Sequence, residues 1–93
     1  MDVLRRQVDR QQALYGHKDE RVLDLKGSWA NSLRSRGLFE EAETHYREVL
    51  TVRNSTLGPK HSHTFTAKVN LATTLIDQGR LEEAEALQRG LDF

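Results

Sequence analysis

Apolar residues recur at helical spacing in five stretches of this chain, and a glycine stands at or near every break between them. Residues 2 to about 14 set Leu4 and Val8, then Gln11 or Gln12 and Tyr15, along one side, which predicts an amphipathic helix with a weak apolar stripe. Gly16 closes that helix, and Asp19 and Glu20 place negative charge where the next begins, as the helix dipole prefers. The second helix, 20 to 35, carries Val22, Leu23, Leu25, Trp29, Ala30 and Leu33, with Lys26 as a polar exception on its stripe and Gly27 read as a packing contact that needs no side chain. Trp29 is assigned to the core. After Gly37, Phe39, Ala42, Tyr46, Val49, Leu50 and Val52 predict a third helix over 39 to 54, its first turn crowded by Glu40, Glu41 and Glu43. A turn at Gly58-Pro59 leads to Ser62 as the expected N-cap of a fourth helix, 62 to 78, marked by Phe65, Val69, Leu71, Ala72, Leu75 and Ile76. Beyond Gly79, the residues Leu81, Ala84, Leu87 and Leu91 predict a fifth that runs to Phe93.

The five stretches are not independent. Gly37-Leu-Phe-Glu-Glu-Ala-Glu returns as Gly79-Arg-Leu-Glu-Glu-Ala-Glu, 42 residues on, and laying 16–51 on 58–93 gives eleven identities in 36 positions. Among them are Lys26/Lys68, Ala30/Ala72, Leu33/Leu75, Gly37/Gly79 and Arg47/Arg89. The same shift lays Leu4 and Val8 on Tyr46 and Leu50, so the first helix is the second half of an earlier unit. Fixed-period similarity on this scale signals stacked units that bury their apolar faces against their neighbours. The expected fold is all-α, a fragment of a right-handed solenoid built of helical hairpins in the order B0-A1-B1-A2-B2. Residues 1–15 are a partial repeat, 16–57 repeat 1 and 58–93 a truncated repeat 2, within one domain. Glu43 to Arg47 and Glu85 to Arg89 are Glu-before-Arg pairs at i, i+4 and read as solvated helix surface.

These residues resemble the tetratricopeptide repeat. Leu71-Ala72, Leu75, Gly79, Leu81 and Ala84 fall on the positions of its motif, as do Trp29-Ala30, Leu33, Gly37, Phe39 and Ala42, with Tyr46 at the later aromatic position. The 42-residue period, Asn70-Leu71-Ala72, Glu83-Ala84-Glu85 and Leu57-Gly58-Pro59-Lys60-His61 are similar to the longer kinesin light chain subtype. The resemblance implies a non-catalytic protein-interaction scaffold whose A helices line a concave surface.

Composition narrows the choice of partner. Fourteen basic residues balance fourteen acidic ones, so no whole-chain field draws nucleic acid or an anionic membrane, although Arg5, Arg6 and Arg10 make a basic edge on the first helix. Cysteine is absent, which excludes thiolate chemistry and fits a reducing, cytoplasmic setting. No apolar run approaches the roughly 20 residues of a membrane span. His61 and His63 lack a third ligand of assured proximity, and neither a nucleophile elbow nor a phosphate-binding glycine loop surrounds the Ser, His and Asp residues. Neither an enzyme, a metal nor a cofactor is expected.

By repeat position, the A-helix residues not needed for packing are Asp24, Gly27, Ser28, Asn31, Arg34 and Ser35 in the first copy, and Thr66, Val69, Asn70, Thr73, Ile76 and Asp77 in the second. The polar members are the candidate partner-binding set. Asn and Ser can bond the backbone of an extended peptide, and Arg34 can pair with an acidic side chain. The alternative expectation is self-association through uncapped terminal helices, since a repeat array normally needs polar ends.

Overall fold

A computed structural model describes residues 2–89, which fold into α1 (Asp2–Tyr15), α2 (Glu20–Ser35), α3 (Phe39–Thr56), α4 (Ser62–Asp77) and α5 (Leu81–Arg89). Each helix packs on the one before and the one after it. Ion pairs link α2 to α4 through Arg34 and Asp77, and α3 to α5 through Arg47 and Glu83. Even and odd helices therefore form two adjoining layers, and the fold spans 36 × 30 × 15 Å. The predicted Leu91 and Phe93 end of the last helix lies outside the described residues.

The turns repeat with the sequence. At the end of α2 the Gly37 N–H donates to Arg34 O (2.9 Å) and the Leu38 N–H to Leu33 O (2.9 Å). At the end of α4 the Gly79 N–H donates to Ile76 O and the Arg80 N–H to Leu75 O, each at 2.9 Å. This pair of bonds is the Schellman closure, and its pivot needs positive φ, here 81° at Gly37 and 78° at Gly79. A side chain there would strain the backbone, which is why the two turns share this residue.

Each turn folds its two helices onto small residues. Ala30 and Ala42 are fully buried in the first hairpin, as are Ala72 and Ala84 in the second. Around them Leu23, Leu33, Tyr46, Val49, Leu50, Ala67, Leu71, Leu75 and Leu87 form one continuous core, with Trp29 and Val52 packed against its edge. The ring of Trp29 also faces that of His45, at 4.0 Å between centroids. On α1, Val8 is buried but Tyr15 is not; its ring lies under the Arg21 guanidinium, 3.5 Å away. Arg21 in turn pairs with Asp19, the N-cap of α2, whose Oδ1 accepts from the Arg21 N–H at 2.8 Å.

Several sequence expectations are corrected by packing. Gly27 is not a close contact: no described neighbour lies within 4 Å of a Cβ placed on it. His61, not Ser62, caps α4, its Nδ1 accepting from the His63 N–H at 3.0 Å. Phe65 is exposed, like Val69 and Ile76 at their expected surface positions, while Thr64, Lys68 and Thr74 take buried positions on that helix. A threonine can do so because its hydroxyl finds backbone acceptors, Arg53 O for Thr64 and Asn70 O for Thr74. Glu85 and Arg89 form no ion pair among the described residues, whereas Glu43 and Arg47 do, at 2.8 Å.

Glu43 is not a solvated surface charge. Its carboxylate accepts from Gln78 Nε2 (2.9 Å), Arg80 Nη1 (2.5 Å) and Arg47 Nε (2.8 Å), tying α3 to the turn between α4 and α5. Arg80 also forks onto Glu83. Burial opposes the charge on Glu43, but the bonds from Gln78, Arg47 and Arg80 together outweigh it and hold the carboxyl below its ordinary range. Hydrogen bonding to Arg80 lowers Glu83 as well.

Two measurements check this account. Gly27→Ala should raise stability by about 0.5–1 kcal/mol in chemical denaturation, because alanine removes unfolded-state freedom and meets no neighbour, while Gly37→Ala should lower it by about 1 kcal/mol. The second concerns acid. A carboxyl lowered in the folded state stabilises it above the unfolded value, and that contribution is lost as pH falls through the folded one. The thermal midpoint should therefore hold from neutrality down to about pH 5 and fall below about pH 4, within the carboxylate range. Glu43→Gln should melt earlier than wild type at pH 7 and converge with it at acid pH; parallel curves would show that Glu43 is not a tie between the repeats.

Candidate functional site

Positions 24, 28, 31 and 35 fall on one face of a helix turning about 100° per residue, and so do 66, 70, 73 and 77. The α2 and α4 frameworks thus carry two polar stripes at matching repeat positions, Asp24, Ser28, Asn31 and Ser35 beside Thr66, Asn70, Thr73 and Asp77. The layers described above put the two helices side by side. Arg34, at the edge of the first stripe, reaches the second: its Nε lies 3.3 Å from Asp77 Oδ2, with both side chains one-third exposed.

The structure distributes these residues unequally between duty to the fold and availability. Asp24 is exposed but engaged, for its Oδ1 accepts from Arg53 Nη2 at 2.9 Å. Arg53 is a cation on α3 that is only 8% exposed, and it draws a second carboxylate, Glu20 Oε1, at 3.2 Å. Burying a guanidinium is costly unless it is paired, so Asp24 and Glu20 act as its counter-charges and fasten α2 to α3. Ser35 donates to Ser32 O, Thr66 to Ser62 O and Thr73 to Val69 O, so each of these hydroxyls is turned back onto its own helix. Such local bonds are the usual fate of Ser and Thr within helices.

Ser28, Asn31 and Asn70 differ. The side chains of Ser28 and Asn70 have no hydrogen-bond partner among the described residues, and Ser28 is exposed while Asn70 is half-buried. Asn31 is held on one side only: the Tyr46 hydroxyl, rising from the core of α3, donates to its Oδ1. That bond fixes the amide so that its NH2 group is the end left toward solvent. Tyr46 is 1% exposed, and burial raises its phenol above the ordinary range against the opposing pull of the nearby Arg34 guanidinium. The proton that orients Asn31 is therefore firmly held.

Two contributors escaped the sequence reading. Tyr46 looked like an ordinary core aromatic, and nothing in the 3.6-residue pattern shows its hydroxyl reaching back to α2. Arg53 interrupts the apolar stripe of α3 and could have been found as a charge at a core-facing position one turn after Val49. Its partners, 33 and 29 residues earlier in the chain, could not.

Among the described residues no three His, Asp or Glu side chains gather in a way that could hold a metal, and no helix is long and apolar enough to cross a membrane. His61 and His63 meet edge to face at 4.9 Å between ring centroids, with Nδ1 of His61 committed to the cap of α4. Among curated proteins none matches this sequence. The family model described as tetratricopeptide repeat matches residues 21–89, the span from the first turn of α2 to the end of α5. With helical hairpins stacked in two layers, identical Schellman turns and alanines at both hairpin crossings, the chain belongs to the tetratricopeptide repeat family.

Proposed function

We propose that this chain is a non-catalytic interaction module that receives a peptide segment or a partner protein across the α2–α4 face. Tetratricopeptide repeats generally mediate protein–protein interaction, and the observation that carries the reading to this face is the pair of matched polar stripes with Ser28, Asn31 and Asn70 left free to bond. Amide and hydroxyl groups at that spacing suit the alternating N–H and C=O groups of an extended backbone, which gives affinity with little demand on sequence. Arg34 and Asp77 add a charged pair that a partner's acid or base can enter by exchange. The 42-residue period and the Leu57-Gly58-Pro59-Lys60-His61 loop favour the kinesin light chain-like branch of the family.

Peptides selected for binding to the wild-type chain from a random display library test this. Asn70→Ala and Ser28→Arg should each weaken the selected peptides about tenfold, the loss of roughly one well-placed hydrogen bond or more. Arg34→Glu should weaken them further by setting two acids side by side at Asp77. Unchanged binding in all three variants would remove this face from consideration.

A second reading, self-association, is favoured by exposed apolar side chains on α4, with Phe65 63% exposed and Val69 and Ile76 also exposed along the same helix, and by Val3 and Leu14 on α1. Light scattering over a concentration series should then show mass rising above the monomer, and Phe65→Glu should suppress the rise. A monomeric mass throughout would discard the reading.

A further inference from the structure

The far side of α2 carries a second, chemically different groove. Lys26 follows Asp24 by two residues and so points about 180° away from the stripe of Asp24, Ser28, Asn31 and Ser35. It forms part of the lining of a groove of about 680 Å³ that also takes in Gln12 of α1, His17 of the following turn, and Arg47, Thr51 and Val52 of α3.

Two groups in this groove lack proper partners. Lys26 is 7% exposed, yet its ammonium makes no hydrogen bond among the described residues. Its one charged partner there is Glu48, with Nζ 3.8 Å from Oε1, beyond hydrogen-bond reach. That same oxygen is shared with His45 Nδ1 at 3.3 Å, and the Glu48 side chain is half exposed. A largely buried ammonium with three donors is poorly served by a distant, divided carboxylate. The second group is Gln12, whose Oε1 is shielded from water with no donor to accept from among the described residues. One repeat on, Asn54 stands at the position of Gln12, and its Oδ1 is again buried without a donor among the described residues.

Together these groups define an occupant. Lys26 wants a close acceptor: Arg47 is already held by Glu43 and Glu83, and the one acid in the lining, Glu48, stands 3.8 Å off and is shared with His45, so the group that completes the site is a negative acceptor brought up to Lys26. Gln12 wants a donor, which a peptide backbone N–H beside the carboxylate supplies. Val52 and the stem of Lys26 offer apolar contact beside both. We propose that the groove between α1 and α3 binds an extended segment of a partner protein through an Asp or Glu side chain, whose carboxylate takes Lys26 from Glu48 while a neighbouring backbone N–H donates to Gln12. This site is separate from the α2–α4 face, and either can fail without the other.

The test uses the full chain, isotopically labelled for NMR, and two pools of short randomised peptides that differ only in a fixed central Glu or Gln. The Glu pool should bind more tightly, moving amide signals around Gln12, Lys26 and Thr51 and leaving those of Asn70 and Thr73 in place. Lys26→Met should weaken the Glu pool about tenfold or more and leave the Gln pool unaffected, and Glu48→Gln, which removes the internal competitor, should tighten it about threefold. The Glu48→Gln comparison is independent of the folding of the Lys26 variant. Equal binding of the two pools, shifts confined to α2 and α4, or displacement of the Glu pool by inorganic phosphate at matched concentration would each overturn the proposal.

Discussion

The Schellman closure at Gly37 and Gly79 is the constraint on which the rest of this structure depends. A single amphipathic helix of this length cannot bury its stripe alone, and helices this short are marginal in water. The two backbone bonds at each turn fix where the next helix leaves, and the small residues Ala30, Ala42, Ala72 and Ala84 are buried in the hairpins they close. Each hairpin then offers apolar surface to the next, and one core runs through from Leu23 to Leu87.

Charge finishes what apolar packing begins. Arg53 holds α3 to the start of α2 through Glu20 and Asp24, and Glu43 holds α3 to the turn after α4 through Gln78 and Arg80. The first tie fastens the two helices of one hairpin and the second fastens that hairpin to the next, each joining side chains 29 to 37 positions apart. The two layers that result give α2 two unlike faces. One pairs with α4 in a row of amides and hydroxyls, and the other sinks Lys26 between α1 and α3.

Much of the fold was legible in the chain because it is carried by local rules applied twice. Period, glycine position, acidic first turns and the alanine of each helix pair are all functions of spacing along the sequence; the first four helices begin and end within about two residues of where that spacing puts them, and the fifth begins there. The errors share a cause. Residue type alone points to Gly27 as a contact and Ser62 as a cap, and the neighbours that the packing supplies decide otherwise. Phe65 sits outward while Thr64, its smaller and more polar neighbour, is buried, because Thr64 can satisfy its hydroxyl on Arg53 O.

The candidate partner-binding residues divide along the same line. Helical spacing was enough to place Asp24, Ser28, Asn31 and Ser35 on one face and Thr66, Asn70, Thr73 and Asp77 on its repeat. Which of them is free was decided only in three dimensions: Arg53 claims Asp24, Asp77 claims Arg34, and Tyr46 turns Asn31 outward. The sequence by itself determined the repeat, the helices and the turns, since hydrogen bonds between near neighbours and a 3.6-residue period are local. The tertiary structure decided the ion pairs, the orientation of the amides and the burial of Lys26, because each depends on side chains about 15 to 40 positions apart meeting across a packed interface.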